Sequence, residues 1–158
     1  MTVYAATGHR PNRLGGYGEA NLDKLYRFAL VSIRPLPVGR MISGMALGWD
    51  QAVAKACVHY GIPWTAAIPF EGQDSKWPAY ARDAYLDLLA KAAEVVYVGT
   101  PGYSPAKMET RNRWMVDHAT HVLALWSGSA GGTANCIAYA KRMGKVIVPL
   151  WEKWSKFR

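Results

Sequence analysis

Short apolar runs alternate with longer amphipathic segments along the chain. The apolar runs, which predict β-strands, are in chain order VYAA, RMIS, WTAAIP, VVYV, HVLALW and VIVPL. Five segments with helical character lie between them, at residues 21–33, 50–60, 78–92, 108–118 and 133–143. Apolar residues recur at helical spacing in these segments, which in the second are Ala52, Val53, Ala56, Cys57 and Tyr60.

This alternation predicts an α/β domain built on a parallel sheet. Strands that are apolar along their whole length are buried on both faces, and the helices between them cover those faces. A chain of 158 residues, 51% of them hydrophobic, can bury one sizeable core and is too short for two ordinary domains. We therefore expect one domain over residues 1–150, followed by a short basic aromatic tail over residues 151–158.

Composition narrows the cellular setting. No apolar run approaches the roughly 20 residues that cross a bilayer, and the N-terminus lacks a signal-peptide pattern. We expect a cytoplasmic protein without membrane contact. Cys57 and Cys136 fall within predicted helices beside apolar residues, which indicates core positions and neither a disulfide nor a zinc site. The formal net charge of +8 is compatible with nucleic acid or nucleotide phosphates as partners, although its clustering near the C-terminus favours a solvated face.

Glycines and polar residues follow each of the first five predicted strands. These loops are TGHRPNRLGGYG, SGMALGWD, PFEGQDSKW, VGTPGYSPAKMETRN and WSGSAGGTAN. In a parallel sheet the carboxyl ends of the strands lie at one edge, where open α/β folds bind their ligands. The five loops are therefore predicted to converge on one crevice.

The loop before the last predicted helix carries Gly131, Gly132 and Thr133. Glycines at a helix N-terminus let backbone N–H groups approach an anion, and the helix dipole adds about half a positive charge. The pattern therefore predicts a phosphate-binding loop, although a tight turn with Thr133 as helix N-cap explains it equally well. It matches neither the dinucleotide fingerprint nor the P-loop.

The first loop places Gly8, His9 and Arg10 directly after a strand. Arg10 is suited to a bidentate contact with a phosphate or carboxylate, and His9 is suited to donating to a phosphate or ribose. The alternative is a buried His9 whose ring is satisfied by backbone groups.

The second loop carries Gly44 and Gly48 and ends at Asp50. Asp50 is predicted to be the N-cap of the following helix, or to accept hydrogen bonds from ribose hydroxyls as acidic residues do in dinucleotide sites.

The segment METRNRWMVDHA has the densest set of charged residues. In a helix, Glu109, Asn112 and Arg113 share a face, which Asp117 continues, whereas Arg111 points elsewhere. An ordinary solvated helix with a Glu109–Arg113 pair accounts for this spacing. A phosphate site that uses Arg111 and Asn112 is the functional alternative.

Other chemistries are disfavoured. His118 and His121 lack further metal ligands, so we expect no metal ion and no resident cofactor. No G-x-S-x-G elbow accompanies the serines of the glycine loops, which argues against a hydrolase triad. The seven tryptophans mostly fall beside apolar runs and indicate core positions, although Trp77, on a long loop, could stack on a base.

Five motifs, in this order, span nearly the whole chain: TGHRPNRLGGY, GMALGWDQAVA, AIPFEGQDSKW, RNRWMVDHA and LWSGSAGGTANC. Together they resemble the YpsA-like branch of the SLOG superfamily, which also includes the Lonely Guy (LOG) phosphoribohydrolases and the DNA-processing protein DprA. The resemblance implies a Rossmann-like, three-layer α/β/α sandwich with a mainly parallel sheet. It further implies a nucleotide or nucleotide-derived ligand at the strand ends and a homodimer or higher homo-oligomer.

LOG enzymes cleave the N-glycosidic bond of nucleoside monophosphates with an Arg and with the Glu of a PGGxGTxxE motif. By resemblance, METRN places Arg111 at the arginine and SAGGTANC places Cys136 at the glutamate, with Asn135 before it. A group that stabilises the transition state can contribute about 3 kcal/mol, so catalysis would need a displaced carboxylate from Asp50, Glu109 or Asp117.

Three functions follow from this sequence. The first is binding of a nucleoside monophosphate, ADP-ribose derivative or similar ligand by a sensor or sequestering protein. Its candidate contacts are Gly8, His9, Arg10, Gly44, Gly48, Asp50, Arg111, Asn112, Gly131, Gly132 and Thr133. The second is an N-glycosidase or deoxyribosyltransferase acting on nucleoside monophosphates. The third is DprA-like binding of single-stranded DNA.

Overall fold

Six strands and six helices alternate along the chain in the computed structural model, which describes all residues, Met1–Arg158. The strands are β1 Val3–Gly8, β2 Arg40–Ser43, β3 Trp64–Ile68, β4 Glu94–Tyr97, β5 His121–Leu125 and β6 Val146–Pro149. The helices are α1 Glu19–Ile33, α2 Trp49–Tyr60, α3 Ala79–Leu89, α4 Pro105–Asp117, α5 Gly132–Arg142 and α6 Trp151–Lys156, with a short 3₁₀ turn at Pro11–Arg13.

All six strands form one parallel sheet in the order β4-β3-β2-β1-β5-β6. The chain builds outward from β1 to β4 and then crosses to the other side of β1 to form β5. The order therefore reverses between β1 and β5, where Gly8 lies opposite Leu125. In open α/β sheets this switch point opens a crevice at the carboxyl ends of the strands.

Helices cover both faces of the sheet, as the apolar strands predict. The larger core joins α1, α2, α3 and α6 to one face, around Phe28, Trp49 and Trp64. On the other face, α4 and α5 pack over smaller clusters that include Met115 and Ile137. The predicted three-layer, Rossmann-like α/β/α fold is confirmed, and the sheet is entirely parallel.

Two helices begin on glycines rather than on the polar caps that were predicted. The N-cap of α2 is Gly48 (φ +92°) and that of α5 is Gly131 (φ +138°), so Asp50 and Thr133 lie at the second positions of their helices. Both interpretations as N-caps were wrong, because these turns need positive φ angles that side chains disfavour. A Cβ on Gly48 would also lie 2.7 Å from Pro11 Cγ.

The C-terminal segment forms a helix that packs on the main core. Trp154 in α6 is only 7% exposed, and its ring centroid lies 5.2 Å from that of Phe28 in α1. Lys24 lies over the ring of Trp154, with Nζ 4.5 Å from its centroid. The tail thus contributes apolar residues to the fold as well as positive charge.

Both cysteines occupy buried helical positions, as the sequence analysis predicted. Cys57 and Cys136 are free thiols, and both are buried in helices. No helix has the combined length and apolar character needed to span a membrane.

Candidate functional site

A crevice of about 630 Å³ opens at the carboxyl ends of the strands, between β1 and the N-terminal parts of α4 and α5. Cavities that bind small molecules have volumes in this range. The crevice brings together nine of the eleven predicted residues, which are Gly8, His9, Arg10, Asp50, Arg111, Asn112, Gly131, Gly132 and Thr133.

Gly44 and Gly48 do not line the crevice but make room for residues that do. A Cβ on Gly44 would lie 2.6 Å from Arg111 Nη1 and 3.1 Å from Asp50 Oδ2. The absence of a side chain therefore lets the guanidinium and the carboxyl approach the end of β2. Gly48 makes the turn that brings Asp50 to the crevice.

The N-terminus of α5 forms one wall of the crevice. A Cβ on Gly131 or Gly132 would have no protein atom within 4 Å, so both backbones border open space. The first N–H groups of an α-helix have no partner within the helix. In α5 the Asn135 N–H donates to Gly131 O, so the helical N–H groups before Asn135 are the ones without a partner in the helix. The Thr133 hydroxyl donates to Gly8 O at 3.1 Å, which fixes this helix end to the end of β1.

His9 is buried, and its ring is held by neighbouring groups. Nε2 accepts the Ser127 N–H at 3.0 Å, lies 2.9 Å from Ser127 Oγ, and the ring packs edge-on against Trp151. Burial, followed by the charge of Arg13, lowers the pKa of His9. An Nε2 that accepts a backbone N–H carries no proton, so only Nδ1 could donate to a ligand.

Two arginines of the first loop differ in their contacts. The Arg10 side chain is exposed at the crevice and forms no hydrogen bond within the protein. Arg13 Nη1 donates to Ser129 Oγ at 3.0 Å and to Ala130 O at 3.4 Å, which ties the 3₁₀ turn to the loop before α5. Arg10 is therefore free to pair with an anion, while Arg13 positions the loop.

Arg111 joins the ends of two strands at the floor of the crevice. The residue is 3% exposed, and Nη1 donates to Gly44 O at 2.7 Å and to Ala67 O at 3.0 Å. Nε donates to Asn112 Oδ1 at 3.0 Å. Burial lowers the pKa of Arg111 to about 10, so the group remains charged at neutral pH. Its side chain points away from the exposed face of Glu109 and Arg113, as predicted.

Asp50 is the deepest carboxyl of the crevice. Burial raises its pKa, while the charges of Arg111 and Arg10 and the Ala46 N–H, 3.3 Å from Oδ2, act in the opposite direction. A carboxyl with a raised pKa inside a cleft is typical of functional sites. Cys136 also lines the crevice, and burial raises the pKa of its thiol, which makes it a poor nucleophile.

The other two acids considered as displaced carboxylates have partners of their own. Glu109 lines the crevice and pairs with Arg113 at 3.1 Å, which confirms the predicted pair on the exposed side of α4. Asp117 accepts the Tyr139 hydroxyl at 2.6 Å and does not line the crevice. Asp50 is thus the only carboxylate inside the crevice without a direct ion pair.

Several crevice residues were not singled out from the sequence. They come from the first loop, the β4–α4 loop and the exposed sides of α4 and α5, and include Thr7, Asn12, Tyr103, Met108 and Tyr139. Apart from Tyr139 in α5, these residues lie in the predicted strand-end loops, which was the available signal. Trp77, considered as a base-stacking residue, instead packs edge-on against Tyr85 in the core.

The remaining histidines are engaged elsewhere. His121 stacks on Tyr4 with ring centroids 4.7 Å apart, and His118 stacks on Trp114 at 4.0 Å. No group of three or more His, Cys, Asp and Glu side chains is arranged to hold a metal ion.

The fold and crevice define a Rossmann-like α/β protein with a positively charged cleft at its switch point. Residues 4–145 match the model of the YspA SLOG family, so the chain belongs to this family. The uncharacterized SPbeta prophage-derived protein YoqJ of Bacillus subtilis (strain 168) is 40% identical over 65% of this chain and 70% of YoqJ. DNA processing protein DprA of Mycobacterium tuberculosis (strain H37Rv) is 32% identical over 68% of this chain but only 28% of DprA.

Solved structures share the fold at low sequence identity. DprA from Streptococcus pneumoniae superposes with a TM-score of 0.65 at 18% identity, covering 94% of this chain and 50% of that one. The molybdenum cofactor binding protein of Rippkaea orientalis gives 0.59 at 13% identity, covering 94% and 75%. The molybdenum cofactor carrier protein of Chlamydomonas reinhardtii gives 0.58 at 15% identity, covering 99% and 81%.

Proposed function

We propose that this protein binds a phosphorylated small molecule, a nucleotide or a nucleotide-derived compound, in the crevice at the switch point. The observation that carries the proposal is the open backbone of Gly131 and Gly132 at the N-terminus of α5, opposite a free Arg10. Helix N-terminal N–H groups bind phosphate, and a guanidinium pairs with phosphate through two parallel hydrogen bonds. The crevice lining carries four arginines against two carboxylates, which favours an anionic ligand.

The arrangement also supports a sugar next to the phosphate. Asp50 lies in the crevice beside the phosphate wall, with its carboxyl buried and held by Ala46 N–H. A carboxylate in this position accepts hydrogen bonds from ribose hydroxyls, as acidic residues do in dinucleotide sites. Binding of such a ligand without turnover would suit a sensor or sequestering protein, acting alone or as a homo-oligomer.

The proposal is tested most sharply by Gly132→Ala. The residue has ordinary helical φ, and its new methyl would enter open space, so the fold should tolerate it. The unfolding free energy should stay unchanged or rise by up to about 1 kcal/mol. The methyl would keep phosphate oxygens away from the backbone, and the loss of a charge-assisted hydrogen bond predicts about tenfold weaker binding or more.

Binding is measured by titration calorimetry with nucleoside 5′-monophosphates, ADP-ribose and ribose 5-phosphate. Gly18→Ala is the control, because Gly18 is the N-cap of a helix, α1, borders open space and lies outside the crevice. Equal affinity of wild type and Gly132→Ala for the tightest ligand would refute the phosphate position. The molybdenum cofactor belongs in the same panel, since two solved proteins of this fold are named for binding it.

A second candidate function, cleavage of the N-glycosidic bond of a nucleotide, rests on Asp50. In this reaction water bonds to C1′, the bond from C1′ to the base nitrogen breaks, and the base leaves with a proton. Asp50 has the raised pKa suited to proton transfer, and its carboxylate form could stabilise the oxocarbenium-like transition state. It would replace the acid that the LOG resemblance puts at Cys136.

Free base in the reaction mixture, detected by mass spectrometry, tests this second function. Asp50→Asn should abolish release, while its amide oxygen can still accept a hydrogen bond from the ribose, so that the nucleotide still binds. Glu109→Gln, on the exposed pair of α4, should retain release. Recovery of intact nucleotide from a saturated wild-type sample would leave binding as the function.

A further inference from the structure

Three aromatic side chains line the crevice, and one of them has a ring that is largely exposed to solvent. His9 is buried against Ser127 and Trp151. The ring of Tyr139 lies beneath the guanidinium groups of Arg113 and Arg142, 4.9 and 5.6 Å from its centroid. Tyr103, by contrast, is 70% exposed. An exposed aromatic ring at the edge of a cleft is available to stack on a ligand that enters the cleft.

The backbone that carries Tyr103 is held in place before any ligand arrives. Lys107 Nζ donates to three consecutive carbonyls of the β4–α4 loop, those of Thr100, Pro101 and Gly102, at 2.9, 3.1 and 2.9 Å. The Tyr103 ring also meets Phe70 edge-on, with centroids 6.0 Å apart. A contact surface ordered in advance loses less entropy when it binds.

The sheet sets the distance between Tyr103 and the phosphate wall. Thr133 is bonded to Gly8 at the end of β1, while Tyr103 contacts Phe70 just beyond the end of β3. Two strand spacings separate β1 from β3, which is roughly 10 Å. Asp50, the second residue of α2, enters the crevice just beyond the loop that follows β2, between them. The crevice therefore presents, in order along the strand ends, an anion site, a carboxylate and an aromatic ring.

From this order we propose that Tyr103 stacks on the planar ring of the ligand. The ligand is then a nucleotide, with its phosphate over the end of β1, its sugar over the end of β2 and its base over the end of β3. This inference rests on the proposed phosphate site, and it adds the class of the ligand and the orientation in which the ligand lies in the crevice. Stacking tolerates any base, because every base has a π-face.

The experiment compares two kinds of probe: the four common nucleoside 5′-monophosphates, and ribose 5-phosphate, which lacks the base. Tyr103→Leu removes the aromatic ring and should weaken nucleotide binding by about tenfold, within the range measured for stacking on aromatic side chains. The same substitution should leave the affinity for ribose 5-phosphate unchanged. Tyr103→Phe keeps the ring and should restore nucleotide binding to within about twofold.

Tyr80→Leu provides the matched control, because Tyr80 is 73% exposed on α3 and lies outside the crevice. Equal losses for both probes in Tyr103→Leu would assign the residue a structural role and overturn the stacking. No loss for either probe would overturn it as well, with the phosphate site intact. Failure of the wild type to bind any of the five probes would instead reject the phosphate site itself, and the base position with it.

Discussion

At the scale of single residues, Arg111 is the side chain on which the site most depends. Arg111→Met would leave the carbonyls of Gly44 and Ala67 without their donor and Asp50 without its nearest cation. Leaving two buried carbonyls without a donor costs about 1–3 kcal/mol of unfolding free energy for each of them. Urea denaturation measures the loss.

The control for this prediction is Arg113→Met, which removes the partner of Glu109 from an ion pair that is half-exposed on both sides. Exposed pairs contribute about 0–1 kcal/mol, so this variant should unfold almost as the wild type does. Similar losses in the two variants would mean that Arg111 is not the structural link we infer.

His9 predicts a pH dependence of stability. Its pKa is lowered in the folded protein, so as the pH falls the unfolded state takes up the proton first. The stabilisation from neutral His9 is therefore complete above the ordinary pKa of about 6.5 and is lost as the pH falls toward the lowered value. Asp50, whose pKa is raised, has the opposite sign and gains stability as it protonates.

A comparison of variants separates the contribution of His9 to this pH dependence from that of Asp50. Thermal unfolding is measured between pH 7.5 and 5. Over this range Tm should decrease less in His9→Asn than in the wild type, even where the two proteins differ in Tm at pH 7.5. His59→Asn, at an exposed position of α2, should keep the wild-type slope. Identical slopes in the wild type and His9→Asn would exclude His9 as the titrating group.

At the scale of elements, the β4–α4 loop is expected to depend on one lysine. Lys107→Met removes all three hydrogen bonds to residues 100–102 and leaves their exposed carbonyls to water. We expect faster amide hydrogen exchange in residues 99–104 and several-fold weaker nucleotide binding, with global stability lowered by no more than about 1 kcal/mol. Lys76→Met, on another exposed loop, should change neither exchange nor binding.

The elements themselves could be predicted from the sequence because each depends on local patterns. All six strands lie where the apolar runs indicated them, and the helix bounds differ by a few residues. The largest shifts are of three residues: α3 ends at Leu89 although residue 92 was predicted, and α4 begins at Pro105 although residue 108 was predicted. For α4, proline at a first helical position was an available signal. The glycine starts of α2 and α5 could not be recognised from residue type, since Asp50 and Thr133 are better caps by preference.

The arrangement of the site depended on contacts that no local pattern contains. Arg111 donates hydrogen bonds to Gly44 and Ala67, which precede it in the chain by 67 and 44 positions. Its role could therefore be predicted only with knowledge of the order of β2 and β3 in the sheet. Tyr103 is set apart from the other aromatic residues only by its exposure and by the edge of the crevice on which it lies. The converging loops predicted where the crevice is, but not which side chains remain free inside it.

At the scale of the whole molecule, the net charge of +8 raises the question of nucleic acid, as does the likeness to DprA. Much of this charge lies away from the crevice, for example on Lys153 and Lys156 of α6 and on Arg158, none of which lines it. Charge spread over an outer surface gives non-specific binding that weakens steeply with salt. The crevice, in contrast, offers room for one small ligand.

Salt dependence therefore distinguishes the two modes. For single-stranded DNA, each phosphate contacted should lower affinity about 2.6-fold when salt rises from about 50 to 200 mM, so five contacts predict a loss of roughly a hundredfold. A mononucleotide has no comparable counterion atmosphere and should lose only a few-fold. Replacing Lys153, Lys156 and Arg158 by Gln should weaken DNA binding alone, and Arg10→Gln should weaken nucleotide binding. DNA binding that resists salt and is lost in Arg10→Gln would make the crevice a nucleic-acid site.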